Sequence, residues 1–339
     1  MTDGLHAGTH APQDAGRAGT RPVLIAGAPR TGTTWVGQAL SFAQDSCFVN
    51  EPDNENEDPF ALKAKLPLGR FPVLAPGDAA PPAYERLWDG AFAGSGHART
   101  PRWVAAKLLL RSVNRLELWN ALCNYGGPRL TPRLRVLAAI APPRSGQPHA
   151  PNVVVKSVHG PFALEWIAER ARPQVVVILR HPLNVIASWT ELRWGGCSLD
   201  THPLLRARFV DRWRIPALSS ASSRLARVAW EVGLLMSALE VSVQDHPDWH
   251  VVWHEALCRD PHTQFKRLYA ELGLGWTAAA DAYLTDSNQP GSGAMTQRIA
   301  SEQPERWRKR LSADQVREIR SVLERFPLSV RGDGPSDER

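Results

Sequence analysis

Apolar residues gather in short unbroken runs: VLIAG at 23–27, NVVVKS at 152–157 and QVVVILR at 174–180. Runs of strand length that are apolar at successive positions and rich in β-branched residues are the pattern of strands covered on both faces. Behind them come TTWVGQALSFAQ, PFALEWIAERA and PLNVIASWTELRW, whose apolar positions have helical spacing. Strands alternating with helices predict an α/β fold with three αβα layers around a central parallel sheet. Leu225, Val228, Val232, Leu235 and Leu239 mark one face of a long helix, and WHVVWHEAL at 249–257 reads as a further strand entering a loop. Ser312 with Gln315 has capping-box spacing, opening a last helix with an apolar face of Val316, Ile319, Val322, Leu323 and Phe326. A Pro-rich stretch at 66–82 and the segment 126–151 read as excursions around one domain. Residues 1–20 and 331–339 lack periodicity and read as disordered ends, leaving a single domain over 21–330.

The first strand and helix are joined by Gly27-Ala-Pro-Arg-Thr-Gly32-Thr33-Thr34. At such a junction backbone amides and the helix dipole attract an anion. A nucleoside-triphosphatase loop reads G-x-x-x-x-G-K-[ST]; here Thr33 takes the lysine's place and the cation moves back to Arg30. The loop is P-loop-like but lacks the residue that serves a γ-phosphate, which points to a nucleotide without a triphosphate. The strand at 174–180 ends in Arg180, where a magnesium-binding strand would end in an acid. A second anion is expected there instead of a metal. Ser188, eight positions on, falls on the side of its helix that returns towards Arg180.

Charge changes this picture little. The net charge is +6 and the sequence pI about 9.4, with 34 Arg against 6 Lys. Arginine's planar fork suits phosphate and sulfate, but codon usage alone also yields Arg-rich, Lys-poor chains. There is no base-reading basic helix, zinc finger or aromatic RNA-binding signature, so nucleic acid is not an expected partner. No apolar run reaches the roughly 18 residues of a membrane span and no secretion signal is present, which gives a cytoplasmic protein as the expectation. Cys47, Cys123, Cys197 and Cys258 stand far apart without a C-x-x-C and are expected to be reduced thiols.

Taken together, Pro29-Arg-Thr-Gly-Thr-Thr-Trp35, the Arg180 and Ser188 pair and the segment WHEALCRDPHTQFKRLYAELGL at 253–274 resemble the sulfotransferases that use 3′-phosphoadenosine 5′-phosphosulfate (PAPS). The resemblance runs in order over most of 21–330. It implies that Arg30, Thr31, Gly32, Thr33 and Thr34 hold the 5′-phosphosulfate and that Arg180 and Ser188 hold the 3′-phosphate; Trp35 resembles a tryptophan that stacks on adenine in some members, and an apolar first-turn tryptophan packed into the core is the other reading. Arg298, in a late segment that resembles the one folding over the nucleotide, is a candidate contact to the 3′-phosphate or phosphosulfate, with a basic solvated loop before the last helix as the other reading. Arginine at position 30, where cytosolic members generally carry lysine, places the chain nearer the tyrosyl-protein and carbohydrate-type members. Those use a glutamate base about twenty residues past the loop, and Glu51 falls there. It lies in an acidic loop with Asp53, Glu55, Glu57 and Asp58, so neighbouring carboxylates and burial are expected to raise its pKa. Lys156 is expected to meet the transferring group. His159, in a Lys-Ser-Val-His stretch one residue longer than the cytosolic K-x-H, is an alternative base, a substrate contact or a structural histidine. The implied reaction yields 3′,5′-adenosine bisphosphate (PAP), requires no metal and takes a hydroxyl of a sugar or secondary metabolite as acceptor. Two other readings stay open: a P-loop kinase, and a non-catalytic nucleotide-binding or membrane-peripheral module based on the mixed basic and apolar stretch from Arg99 to Arg144.

Overall fold

The computed structural model describes residues 21–125, 130–146, 150–291 and 297–329. β1 (Val23–Gly27), β2 (Ser46–Asn50), β3 (Asn152–Ser157), β4 (Gln174–Leu179) and β5 (His250–Trp253) form one parallel sheet in the order β2-β3-β1-β4-β5. α1 (Thr33–Ser41) follows β1, and α2 (Pro59–Lys65), α3 (Pro82–Phe92), α4 (Pro101–Ser112), α5 (Arg115–Leu122) and α6 (Pro132–Ile140) lie between β2 and β3. α7 (Leu164–Ala171) leads to β4; α8 (Pro182–Glu191), a single turn α9 (Pro203–Leu205) and α10 (Arg224–Asp245) lead to β5. α11 (His254–Arg259), α12 (Pro261–Glu271), α13 (Ala278–Ser287) and α14 (Ala313–Leu323) complete the chain.

The strand pattern explains the layers. Val23, Ile25, Val154, Val176 and Ile178 point to one face, where α1, α12 and α13 contribute Val36, Leu40, Phe265 and Leu284. Their alternates Leu24, Ala26, Val153, Val155, Val175 and Val177 point to the other, against Trp88, Ile167, Ile186, Leu235 and Phe326. Side chains alternate across a strand, so apolar residues at every position require cover on both sides. The three-layer α/β expectation is met. α4, α5 and α6 sit outside these layers on a smaller core of their own, with Leu62, Leu110, Leu118, Leu122, Leu134 and Leu137. The capping box at Ser312 is formed, each partner bonding the other's backbone.

Three expectations change. β2 was not anticipated, because its sequence SCFVN is short and only Val49 is buried. The segment 249–257, expected to be a strand entering a loop, is a strand to Trp253, but His254–Arg259 is helical where a loop was expected. Its Glu255 carboxylate turns inward to accept from the His181 amide at 3.0 Å and from Asn184 at 3.3 Å, a demand an extended strand does not meet. The expectation of four reduced thiols is also corrected: Cys123 and Cys197 are disulfide-bonded, with Cα atoms 4.7 Å apart, while Cys47 and Cys258 are free. The fold brings the end of α5 against the loop after α8, a contact over 74 positions that spacing along the chain does not reveal. The ends expected to be disordered, 1–20 and 331–339, lie outside the described residues. Among those described, no helix is long and apolar enough to cross a membrane.

Candidate active site

β1 is followed in sequence by a strand to one side of it, and β4 by a strand to its other side. The loops leaving β1 and β4 therefore part at the carboxyl edge of the sheet, opening the crevice where α/β sheets bind ligands. A cavity of about 870 Å³ occupies this edge, and all but one of the expected site residues line it. The exception is Thr31, which is buried and spends its hydroxyl on Ala28 O at 2.8 Å, closing the turn itself.

Gly32 precedes α1 with φ 97°, and a Cβ there would collide with the His254 ring. No side chain caps α1. Its first-turn amides are the unsatisfied donors that every helix start presents, and here they face the cavity. Arg30 adopts φ 77° and Glu51 φ 43°, left-handed backbone that costs a non-glycine residue free energy. Arg30 donates through Nε to Ser188 Oγ at 3.0 Å, and Arg180 NH1 donates to Arg30 O at 3.0 Å. Ser188 thus engages the loop arginine, where the sequence had suggested the strand-end one, and all three share one wall. Arg180 Nε is buried with no partner. Such a donor is costly unless a ligand satisfies it.

Arg298 lines the same wall, joined by two arginines that the sequence had not singled out, Arg306 and Arg310. Burial lowers the pKa of Arg30, and Arg306 lowers it further while Glu191 opposes. Burial and then Arg306, Arg30 and Arg310 do the same to Arg298. The nearby acid, Glu191, is bound to Arg310 at 3.0 Å. A group of mutually repelling arginines beside helix-start amides is built for a multiply charged anion. Trp35 lines the cavity but donates to Ser287 Oγ at 3.0 Å and packs edge-on against Phe265 at 5.0 Å.

At the cavity's other end, Asn50 of β2 lies in register with Lys156 of β3, so Glu51 emerges beside that lysine. Lys156 Nζ is ion-paired with Glu51 and donates to Thr34 Oγ1 at 3.0 Å. Asn54 Nδ2 donates to Glu51 Oε2 at 2.5 Å. Burial pushes the Glu51 carboxyl up, but the charge of Lys156 and the hydrogen bonds from Lys156 and Asn54 outweigh it and hold the group below its usual range. This overturns the expected upward shift. Glu55 and Asp58 do not crowd Glu51, because they are buried and turned to partners of their own, whereas buried Asp53 is pushed up to about 6 by burial, with Glu51 adding to it. Glu55 binds Lys65 at 2.7 Å and Arg70 at 2.5 Å, Asp58 binds His97 at 2.8 Å, and Asp53 accepts from Ser157 at 2.6 Å.

His159 belongs to this buried network. Its Nδ1 lies 3.1 Å from Lys65 Nζ and its Nε2 3.4 Å from Arg70 NH2. Burial, with Lys65 adding to it, pushes its pKa down to about 3, so the ring is neutral. Trp119, under the Arg70 guanidinium at 5.2 Å, and Trp194, 6.0 Å from that of Arg30, frame the cavity. Arg70, Arg306 and Arg310 were missed because single arginines carry no signal in a chain with 34 of them, and Lys65 because only the fold sets it against Glu55 and His159.

A model described as "Sulfotransferase family" matches residues 22–278. No match is found among curated proteins. Solved structures similar to this one include the sulfotransferase domain from the curacin biosynthetic pathway, at 14% identity and TM-score 0.41 over 90% of this chain and 98% of that one. Sulfotransferase STF9 from Mycobacterium avium has 14% identity and TM-score 0.38 over 93% and 79%. Mouse sulfotransferase SULT7A1, solved with PAP, has 11% identity and TM-score 0.35 over 94% and 86%. The family match spans the loop after β1 with Arg30, the strand-end Arg180 and Glu51, and on that ground the chain belongs to the sulfotransferase family.

Proposed function

We propose that the enzyme transfers the sulfuryl group of PAPS to a hydroxyl of a carbohydrate or small-molecule acceptor, with Glu51 as general base. The observation that carries this reading is the position of Lys156 Nζ, bonded to Thr34 of the phosphate loop on one side and to Glu51 on the other. The donor's phosphosulfate rests on the loop amides and Arg30, its 3′-phosphate against Arg180, Ser188 and Arg298. The acceptor enters past Trp119 and Asn54, where aromatic faces suit a sugar or an aromatic ring. Glu51 takes the proton from the acceptor hydroxyl. The oxygen bonds to sulfur as the sulfur–oxygen bond to the 5′-phosphate breaks, and the bonding pair leaves on that phosphate oxygen as PAP. Lys156 and Arg30 meet the growing charge on the leaving oxygen.

The low pKa of Glu51 fits this sequence of events. Lys156 keeps the carboxylate ionised in the free enzyme. When Lys156 turns to the sulfuryl group its hold on Glu51 loosens, and the carboxylate becomes the stronger base as the proton is needed. His159, neutral, with its two ring nitrogens taken up between Arg70 and the Asp53 carbonyl in the buried network, is read as a structural histidine and not as the base.

Calorimetric titration with PAP in the absence of magnesium, on wild type, Arg180→Ala and Arg30→Ala, tests the donor half. Metal-free binding that is lost in Arg180→Ala is expected. Binding of magnesium ATP with no response to PAP would replace this reading by the kinase one. Turnover of labelled PAPS over a panel of sugar and small-molecule alcohols, in wild type and Glu51→Gln, then tests the acceptor half.

A further inference from the structure

The helical unit α4–α6 has an unusual surface. Between Ala98 and Gly146 the sequence carries nine Arg and Lys, at 99, 102, 107, 111, 115, 129, 133, 135 and 144, against one acid, Glu117. Of the eight large apolar side chains exposed among the described residues, four are here: Val104 at 42%, Leu108 at 59%, Leu116 at 67% and Val136 at 52%. The helices are apolar on two faces. α4 buries Ala106 and Leu110 in the unit's own core and turns Val104 and Leu108 outward; α6 buries Leu134 and Leu137 and turns Val136 outward.

The cations share the outward faces. Val104, Leu108 and Arg111 follow one stripe of α4 at helical spacing, and Arg133 stands one turn before Val136 on α6. Arg102 caps the end of α6 through Ile140 O and Ala139 O, and Lys107 binds Glu57 O, so those two are engaged. Arg99, Arg111, Arg115, Arg133 and Arg135 are exposed, and among the described residues they form no ion pair. Isolated exposed leucines need no explanation, but apolar side chains interleaved with unpaired arginines and nearly free of acids match one chemistry, the headgroup region of an anionic bilayer.

We propose that the α4–α6 face docks the protein on anionic lipid membranes, with Val104, Leu108 and Val136 entering the headgroup layer and Arg99, Arg111, Arg133 and Arg135 meeting lipid phosphates. The face is continuous with the active-site cavity, since Arg115 and Leu116 of α5 line it. A docked molecule would therefore take a lipid-borne hydroxyl at that edge, a consequence that rests on the sulfotransfer reading, whereas the docking does not.

Co-sedimentation of the full chain with vesicles of phosphatidylcholine, alone or with added phosphatidylglycerol, tests it, run without nucleotide so that the outcome is independent of donor binding. Binding to the anionic vesicles only is expected, weakening as salt rises. Arg111→Glu with Arg133→Glu should lower the partition about tenfold or more, from like-charge repulsion at the surface. Leu108→Ser with Val136→Ser should lower it too, with PAP affinity unchanged in both variants. No binding by wild type, or equal binding by phosphatidylcholine alone, overturns the proposal. So does a dimer in solution that Leu108→Ser dissociates, which would make a second copy of the chain the occupant of this face.

Discussion

Arg30 and Ser188 are 158 positions apart in the chain and 3.0 Å apart in space, the guanidinium Nε donating to the hydroxyl. The bond ties the loop after β1 to α8, the two elements that flank the crevice. Ser188→Ala should weaken PAP binding about two- to tenfold, the range of one hydrogen bond. Arg30→Ala should weaken it further, since a charge is lost as well. Calorimetry reads both, and unchanged affinities would remove the donor from this crevice.

Glu51→Gln should lower kcat by about two to four orders of magnitude, the range for loss of a general base, with PAP affinity held. The lowered pKa of Glu51 fixes the sign of the pH effect. The base remains ionised as pH falls below the ordinary carboxylate range, so the acid limb of kcat/KM lies lower than for a free glutamate. Lys156→Met leaves burial opposed by less charge, and the acid limb should move upward. A limb that stays in place in Lys156→Met would separate Glu51 from the proton transfer.

Glu231 of α10 is buried, and its Oε1 accepts from the Gly196 and Cys197 amides at 2.7 and 3.0 Å. Burial pushes its pKa from 4.5 up to about 7, with these amides opposing. The folded protein thus binds a proton there that the unfolded chain has released, and stability falls as pH rises from about 4.5 through about 7. Glu231→Gln keeps an acceptor for the amides and cannot ionise. The variant should be more stable than wild type at pH 8 by on the order of 2 kcal/mol, and no more stable at pH 5, as thermal unfolding at the two pH values would show. A stability difference independent of pH would mean that Glu231 does not titrate in the folded state.

Lys65 is fully buried between Glu55, His159 and the Asp53 carbonyl. Lys65→Met should destabilise the fold by about 3–5 kcal/mol, because Glu55 keeps a buried charge with one partner fewer. Chemical unfolding measures this. Loss below about 1 kcal/mol would show that Arg70 alone neutralises Glu55.

The Cys123–Cys197 disulfide closes a 74-residue separation and joins α5 to the loop carrying Trp194. Under non-reducing denaturation, alkylation should modify two of the four cysteines. Reduction should cost about 4 kcal/mol in the chain-entropy account of a loop of this size. Alkylation of all four would leave the pair as neighbouring thiols.

The sheet's core was legible because its strands are apolar at every position, as Val153, Val154 and Val155 show; no other pattern explains such runs. The phosphate loop was legible because Gly32 and the helix behind it are contiguous. Ser46–Asn50 was not, being an edge strand with a single buried residue. The Glu51 and Lys156 pair was legible as two residues and not as a pair, because only the β2–β3 register sets them side by side. The electrostatics of Glu51 were misread for the same reason. An acidic run along the chain looks like mutual repulsion, but Glu55 is neutralised by Lys65 and Arg70, and Asp58 by Arg144 beside a hydrogen bond with His97.

The positive φ angles of Arg30 and Glu51 bear on how freely this enzyme can be remade. At both positions the backbone would be more at ease with glycine, so the fold carries a small conformational cost to keep an arginine that bonds Ser188 and a glutamate that pairs with Lys156. Screens that select for thermal robustness alone would register that cost and not the part of the two residues in the proposed reaction, so an engineered, hardier version of this protein should hold both positions fixed.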